Sequence, residues 1–202
     1  PTYDNNIYSG VLPKSVWDAV RFHPRKPQQN RPIQSMYPPG SVWKLLMAAA
    51  ALDAGIVSVK DRFSCPGYYQ LGRTTFRCWK GGGHGSVDMR QALVQSCDVY
   101  FYKVGEKLGI DRISEYALAS GFGKKTGIEL SSEYEGLVPT REWKKEKKHE
   151  SWQVGDTINM SIRQGYTLVT PLQTARFLAA LVNGGEILKP NILFDAPKEV
   201  QG

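Results

Sequence analysis

Ser41 and Lys44 stand three residues apart in the stretch Tyr37-Pro38-Pro39-Gly40-Ser41-Val42-Trp43-Lys44. If a helix starts at Ser41, the two side chains share one side of its first turn. The helix that follows is nonpolar on every face from Leu45 to Leu52, the mark of a buried rod. A hydroxyl would then sit beside an amine in an apolar setting. Loss of water favours an uncharged amine, and an uncharged amine can take a hydroxyl proton. The positive end of the helix dipole also favours the oxyanion formed when a hydroxyl attacks an acyl group. The pair therefore offers acyl transfer, with Ser41 as nucleophile and Lys44 as base. Taken alone it also fits a capping Ser41 and a Lys44 whose head reaches solvent.

Two further sets of residues could carry chemistry. Ser96 and Asp98 flank Cys97. A second hydroxyl there could pass a proton to a leaving amine, and the carboxylate could orient Lys44 or a substrate amide. Cys65, Cys78, His84 and Cys97 form the other set. A tetrahedral Cys3His zinc site would use every thiol. A Cys65–Cys78 disulfide would leave one thiol over, and buried free thiols with a surface imidazole are the third possibility. The separations are longer than a Cys-x2-Cys knuckle, but Gly81, Gly82, Gly83 and Gly85 around His84 give the backbone room to converge.

Several elements must position these residues. The proline pair Pro38-Pro39 forces an extended approach, and the buried helix is expected over 42–54 with Gly55 as its stop. Residues 56–86 lack helical period and read as a long loop with a short hairpin around Tyr68-Tyr69 and Thr74-Phe76. Ser86 is expected to cap a helix with Asp88 in its first turn. Helical pattern then covers 87–108, is interrupted near Ser96-Cys97-Asp98, and resumes over 112–120. A short strand is expected at Gly127–Leu130 and another at Ile158–Ile162. Thr140 should start a basic helix, and Thr170-Pro171-Leu172-Gln173 should start another that runs through Val182. Residues 1–36 read as irregular, with a helical turn or two over Ser15–Phe22.

The chain has 202 residues, 41% hydrophobic and 22% charged, enough for one folded domain. Its net charge of +7 is spread, and the segment Arg141–Lys148 interleaves glutamates with lysines, which argues against nucleic-acid binding. No apolar run is long enough to span a bilayer, and no signal peptide precedes Pro1, so the chain reads as part of a longer protein.

The motifs in order resemble the transpeptidase domain of class B penicillin-binding proteins, nearest to the elongation-specific branch. The likeness rests on Tyr37-Pro38-Pro39-Gly40-Ser41, Trp79-Lys80 with Gly83-His84-Gly85, Gly109-Ile110-Asp111-Arg112 and Thr126-Gly127-Ile128. It continues through Pro139-Thr140-Arg141-Glu142-Trp143, Gly155-Asp156-Thr157, Gly165-Tyr166 and Thr170-Pro171-Leu172-Gln173. Ser-x-x-Lys followed by a Ser-x-Asn-type triplet is a signature of that superfamily. Asp98 stands where most of the superfamily has Asn, and the elongation branch it resembles uses Asp there.

The resemblance implies an α+β serine β-lactamase/transpeptidase-like fold, helix-rich around a central antiparallel sheet. It also implies that the first strand and the Lys-Thr-Gly strands lie outside residues 1–202. On that reading the sheet is incomplete and this stretch alone should not turn over substrate. Lys124-Lys125-Thr126-Gly127 looks like the third motif but precedes the helix it should follow. The implied activity is peptidoglycan D,D-transpeptidation through an acyl-serine on Ser41, with Lys44 as base, Ser96 as proton relay and Asp98 beside them. Stem peptides and β-lactams are the implied ligands, and a polytopic glycosyltransferase of the elongation machinery is the implied protein partner. No cofactor is implied for catalysis, and a structural zinc is implied at Cys65, Cys78, His84 and Cys97. The parent would be anchored in the inner membrane and work on its periplasmic face. Alternatives on the same scaffold are a serine β-lactamase, a D,D-carboxypeptidase, or a non-catalytic β-lactam sensor.

Overall fold

The computed structural model describes residues 4–162, 165–193 and 195–202. Its centre is a pair of helices. The first, α3 (Trp43–Asp53), follows a single 3-10 turn over Gly40–Val42. Trp43, Lys44, Leu46, Met47, Ala48, Ala50 and Ala51 are all buried, as a helix without a polar face requires. The second, α5 (Asp98–Ala119), packs against α3 and against α7 (Val154–Met160). Gly105 makes the close approach possible, since a Cβ there would stand 2.5 Å from the Cβ of Ser161. A kink at Gly109 (φ 73°, ψ 161°) divides α5 where the sequence pattern places a break.

Among the described residues a 3-10 turn (Asn5–Tyr8) and two α-helices, α1 (Lys14–Arg21) and α2 (Arg31–Gln34), precede this pair. No residue of α1 is buried. The segment between α3 and α5 holds two antiparallel pairs and a short helix. Strands β1 (Phe63–Cys65) and β4 (Gly85–Val87) pair with Cys65 opposite Gly85. Between them β2 (Tyr68–Leu71) and β3 (Thr74–Arg77) form the expected hairpin. The outer pair was not expected, and it displaces the cap. Ser86 pairs with Ser64 inside β4, so α4 (Met89–Val94) is capped by Asp88. The Asp88 carboxylate accepts from Gln91 N at 2.8 Å and Gln91 Oε1 accepts from Asp88 N at 3.2 Å, a reciprocal cap.

Two expected strands are absent. Gly127 and Ile128 are irregular and Glu129 and Leu130 form a bend, because the Glu133 carboxylate gathers Thr126 N, Thr126 Oγ1 and Gly127 N and draws the chain round. Ile158–Ile162 belongs to α7 and the turn after it. Its alternation looks strand-like, but Asp156 accepts from Gln153 N at 2.8 Å and starts a helix. The basic helix α6 (Arg141–Lys148) and the last helix α8 (Pro171–Ala180) begin at Thr140 and Thr170 as the caps predict. Among the described residues the fold is thus helix-rich with short antiparallel pairs, and no helix is long and apolar enough to cross a membrane.

Candidate active site

The head of α3 and the turn between α4 and α5 meet at one point. Ser41 lies exposed on the 3-10 turn, while Lys44, one residue into α3, is only 2% exposed. That excludes a lysine head reaching solvent. Lys44 Nζ donates to Asp98 Oδ1 at 2.6 Å, to the Ser96 carbonyl at 2.8 Å and to Ser96 Oγ at 2.9 Å. Three acceptors match the three N–H bonds of an ammonium. Ser41 Oγ lies 3.1 Å from Ser96 Oγ. Ser96, not Lys44, is therefore the hydroxyl's partner, and the amine is reached through it. The sequence expectation put the amine directly beside Ser41. The structure brings all four expected residues together but in the order Ser41, Ser96, Lys44, Asp98.

This order depends on an unusual backbone. Ser96 has φ 52°, a conformation that costs a side-chain-bearing residue about 1–2 kcal/mol. Ser96 N donates to Leu93 O and Cys97 N to Ala92 O, closing α4 tightly. Asp98 then opens α5. Its second oxygen accepts from Trp79 N at 3.0 Å, and the Trp79 indole N–H reaches the carbonyls of Gln95 and Ser96 at 3.1 and 3.0 Å. Trp79 is the residue that sequence reasoning missed as part of the site. The only signal was its place in Trp79-Lys80, directly after a cysteine.

Behind this turn the four soft ligands converge. Cys65 ends β1, Cys78 follows β3, His84 precedes β4 and Cys97 immediately precedes α5. Their ligand atoms all lie within 4.8 Å of one another, and the three cysteines are free thiols. His84 Nδ1 is 3.6 Å from Cys65 Sγ and 3.5 Å from Cys78 Sγ. A tetrahedral ion with bonds of about 2.3 Å to sulfur and 2.0 Å to nitrogen needs an S···N edge of about 3.5 Å, so the donor set fits such an ion. The backbone is pressed to make this possible. A Cβ on Gly83, which has φ 76°, would stand 2.1 Å from the Cys65 carbonyl oxygen. Burial pushes the Cys97 thiol up to about 12. Burial first, and then nearby Lys80, lower the His84 pKa below its ordinary value.

Lys124-Lys125-Thr126-Gly127 stays apart from this centre. Thr126 is buried and bound through its N–H and hydroxyl to Glu133 Oε1, at 2.9 and 2.5 Å. Its role is to shape a turn.

Comparison with known proteins decides the family. The family described as penicillin binding protein transpeptidase domain matches residues 1–201. The chain belongs to this family. It is 37% identical over 201 residues to the peptidoglycan D,D-transpeptidase MrdA of Escherichia coli K12, covering 98% of this chain and 32% of that protein. It is 39% identical over 195 residues to the protein of the same name from Acinetobacter baumannii, covering 96% and 29%. The chain thus spans about a third of the length of the curated relatives it matches. Among solved structures, PBP2 of Helicobacter pylori superposes with a TM-score of 0.92 at 32% identity, over 98% of this chain and 38% of that one. PBP2 of Pseudomonas aeruginosa, solved in complex with WCK 5153, gives a TM-score of 0.88 at 37% identity, over 95% and 44%. As a member of this family the chain therefore shares the fold of these proteins.

Proposed function

We propose that the protein carrying this chain is a peptidoglycan D,D-transpeptidase of the cell-elongation type. The observation that supports this most is the unbroken series of contacts from Ser41 Oγ through Ser96 Oγ to Lys44 Nζ, with Asp98 behind it. Ser41 Oγ attacks the carbonyl of the penultimate D-Ala of a stem peptide. Its proton moves to Ser96 Oγ as Ser96 passes its own to Lys44, once the ammonium that pairs with Asp98 has released a proton to solvent. The tetrahedral intermediate collapses, the terminal D-Ala amine takes a proton back along the same route, and D-Ala leaves. An amine from a neighbouring stem then attacks the acyl carbonyl, the ester bond to Ser41 Oγ breaks, and the amine's surplus proton passes through Ser96 to Ser41 Oγ. A β-lactam acylates Ser41 by the first half of this sequence, and its opened ring keeps the leaving amine attached.

Cys65, Cys78, His84 and Cys97 would hold a structural zinc with no open position. When bound, the ion supplies a brace and no chemistry. The fit of the S···N distances supports this over a Cys65–Cys78 disulfide, and metal analysis of the purified protein tests it. The parent would be anchored in the inner membrane and act on its periplasmic face. A complex of PBP2 and MreC from Helicobacter pylori, 33% identical to this chain, and a peptidoglycan synthase complex, 31% identical, support a place in an elongation assembly with a glycosyltransferase.

The test is mass spectrometry of the intact protein after exposure to a fluorescent penicillin. The expected result is one stable penicilloyl adduct on Ser41, absent from Ser41→Ala. Rapid loss of the adduct to water would favour a β-lactamase or carboxypeptidase instead. An adduct without turnover of a thioester substrate would favour a sensor.

A further inference from the structure

Trp79 is 65% exposed, so hydrophobic burial does not account for a tryptophan at this place. Its polar edge is nonetheless fully engaged. The indole N–H is shared between the carbonyls of Gln95 and Ser96, at 3.1 and 3.0 Å, and the backbone N–H is held by Asp98 Oδ2 at 3.0 Å. The ring stands edge-on to His84 with centroids 5.4 Å apart. One residue therefore touches three parts of the site: the Ser96 backbone, the Asp98 carboxylate and the imidazole of the thiol cluster.

The Ser96 carbonyl is where this matters. Ser96 holds a positive φ of 52°, which a serine does not keep without outside contacts. Besides Lys44 Nζ at 2.8 Å, the group on that carbonyl is the Trp79 indole. If the Ser96–Cys97 peptide plane swings, Cα rotates with it and Oγ leaves the line between Ser41 and Lys44. Lys44 cannot guard against this alone, because it moves protons in the reaction and its bonds change as it does. The indole N–H does not ionise, so its hold is the same at every step.

We propose that Trp79 is a positioning residue that latches the Ser96 turn, keeping the second hydroxyl in line during acylation and tying that turn to the Cys78–His84 limb of the thiol cluster. The inference rests on the reading of Ser41, Ser96 and Lys44 as the acylation machinery. It adds a residue whose polar contacts are with Gln95, Ser96 and Asp98 and not with Ser41.

Trp79→Phe tests it in the intact protein, because phenylalanine keeps an aromatic ring and the backbone N–H while removing the indole donor. Two readouts are taken. The first is stopped-flow acylation by a fluorescent penicillin. The rate constant at saturating penicillin is expected to fall about tenfold with the half-saturating concentration unchanged, the size set by one lost hydrogen bond. The second is hydrogen exchange at the Ser96 and Cys97 amides. Exchange is expected to rise about tenfold there and to stay unchanged in α8. Unchanged exchange overturns the latch even if acylation slows, since Trp79 would then act on the penicillin itself. Raised exchange with wild-type acylation overturns its role in the chemistry. A wild-type protein that forms no adduct on Ser41 overturns the transpeptidase reading, while the exchange arm still decides whether the indole holds the turn.

Discussion

Lys44 and Asp98 form a buried ion pair whose removal can be worked through. The side chains are 2% and 11% exposed, and Nζ lies 2.6 Å from Oδ1. At that separation the attraction is about 6 kcal/mol for an effective dielectric of 20. Taking the two ions out of water costs several kcal/mol each, so the pair as a whole is close to neutral for stability. Breaking it from one side is different. Lys44→Met leaves a buried carboxylate with only the Trp79 N–H as partner, and Asp98→Leu leaves a buried ammonium with only Ser96. Each single change should cost about 3–5 kcal/mol. The double variant should cost less than either, about 1–2 kcal/mol, which is the price of an orphaned Trp79 N–H. Asp98→Asn falls between, because one amide oxygen can accept from Lys44 or from Trp79 but not from both, and should cost about 1–3 kcal/mol. Urea unfolding of the four variants, followed by tryptophan fluorescence, measures the cycle. If the double variant loses the sum of the two single losses, Lys44 and Asp98 are not energetically coupled and the reasoning fails.

Two further outcomes follow from the geometry. Gly83→Ala places a Cβ 2.1 Å from the Cys65 carbonyl in a φ 76° backbone, so it should destabilise by at least about 1–3 kcal/mol and weaken retention of the proposed zinc, read by thermal melting and metal analysis; wild-type values of both would show that the His84 loop does not need the glycine. Burial first, with Glu106 and Asp53 as acceptors for Tyr69 and Tyr116, raises the phenols of Tyr69, Tyr100 and Tyr116 to about 12. Folded chains then hold protons that unfolded chains lose above about pH 10, so stability should fall as pH climbs from about 10 toward 12. A phenolate absorbance titration with every tyrosine ionising near 10 would contradict this.

Local rules made much of the fold legible in the sequence. The caps at Thr140 and Thr170, the buried helix after Pro38-Pro39, the hairpin and the break at Gly109 all depend on neighbours within a few residues. They formed where those neighbours predict. The misreadings share a cause, which is a partner distant in sequence or a competing cap. Pairing with Ser64 took Ser86 out of its capping role, and Asp156 turned an alternating run into α7. The chemistry-bearing residues were all visible by type. Their order was not, because Ser41 and Lys44 are adjacent on a helix in any reading. Only a turn 55 residues from Ser41 decides that Ser96 comes between them.

That turn also explains how three consecutive residues serve two sites. Side chains that start a helix fan round one axis, so Ser96, Cys97 and Asp98 in ordinary helical conformations could not divide cleanly between opposite sides. Ser96 is left-handed and Cys97 is extended (φ −69°, ψ 110°), and in extended backbone successive side chains point to opposite sides. Ser96 and Asp98 then face Lys44, while Cys97, 0% exposed, faces the other thiols. This turn thus places the thiol cluster directly behind the hydroxyl that the proposed chemistry uses, with no residue between. It follows that replacing Ser96 by glycine would relieve the backbone and leave the thiol cluster intact, yet remove the hydroxyl that joins Ser41 to Lys44. Relief of the left-handed backbone, about 1–2 kcal/mol, is offset by the Lys44 N–H that loses its Ser96 Oγ acceptor, about 1–3 kcal/mol. Penicillin acylation should therefore collapse while urea unfolding shows stability little changed, which separates the chemistry of this turn from its architecture.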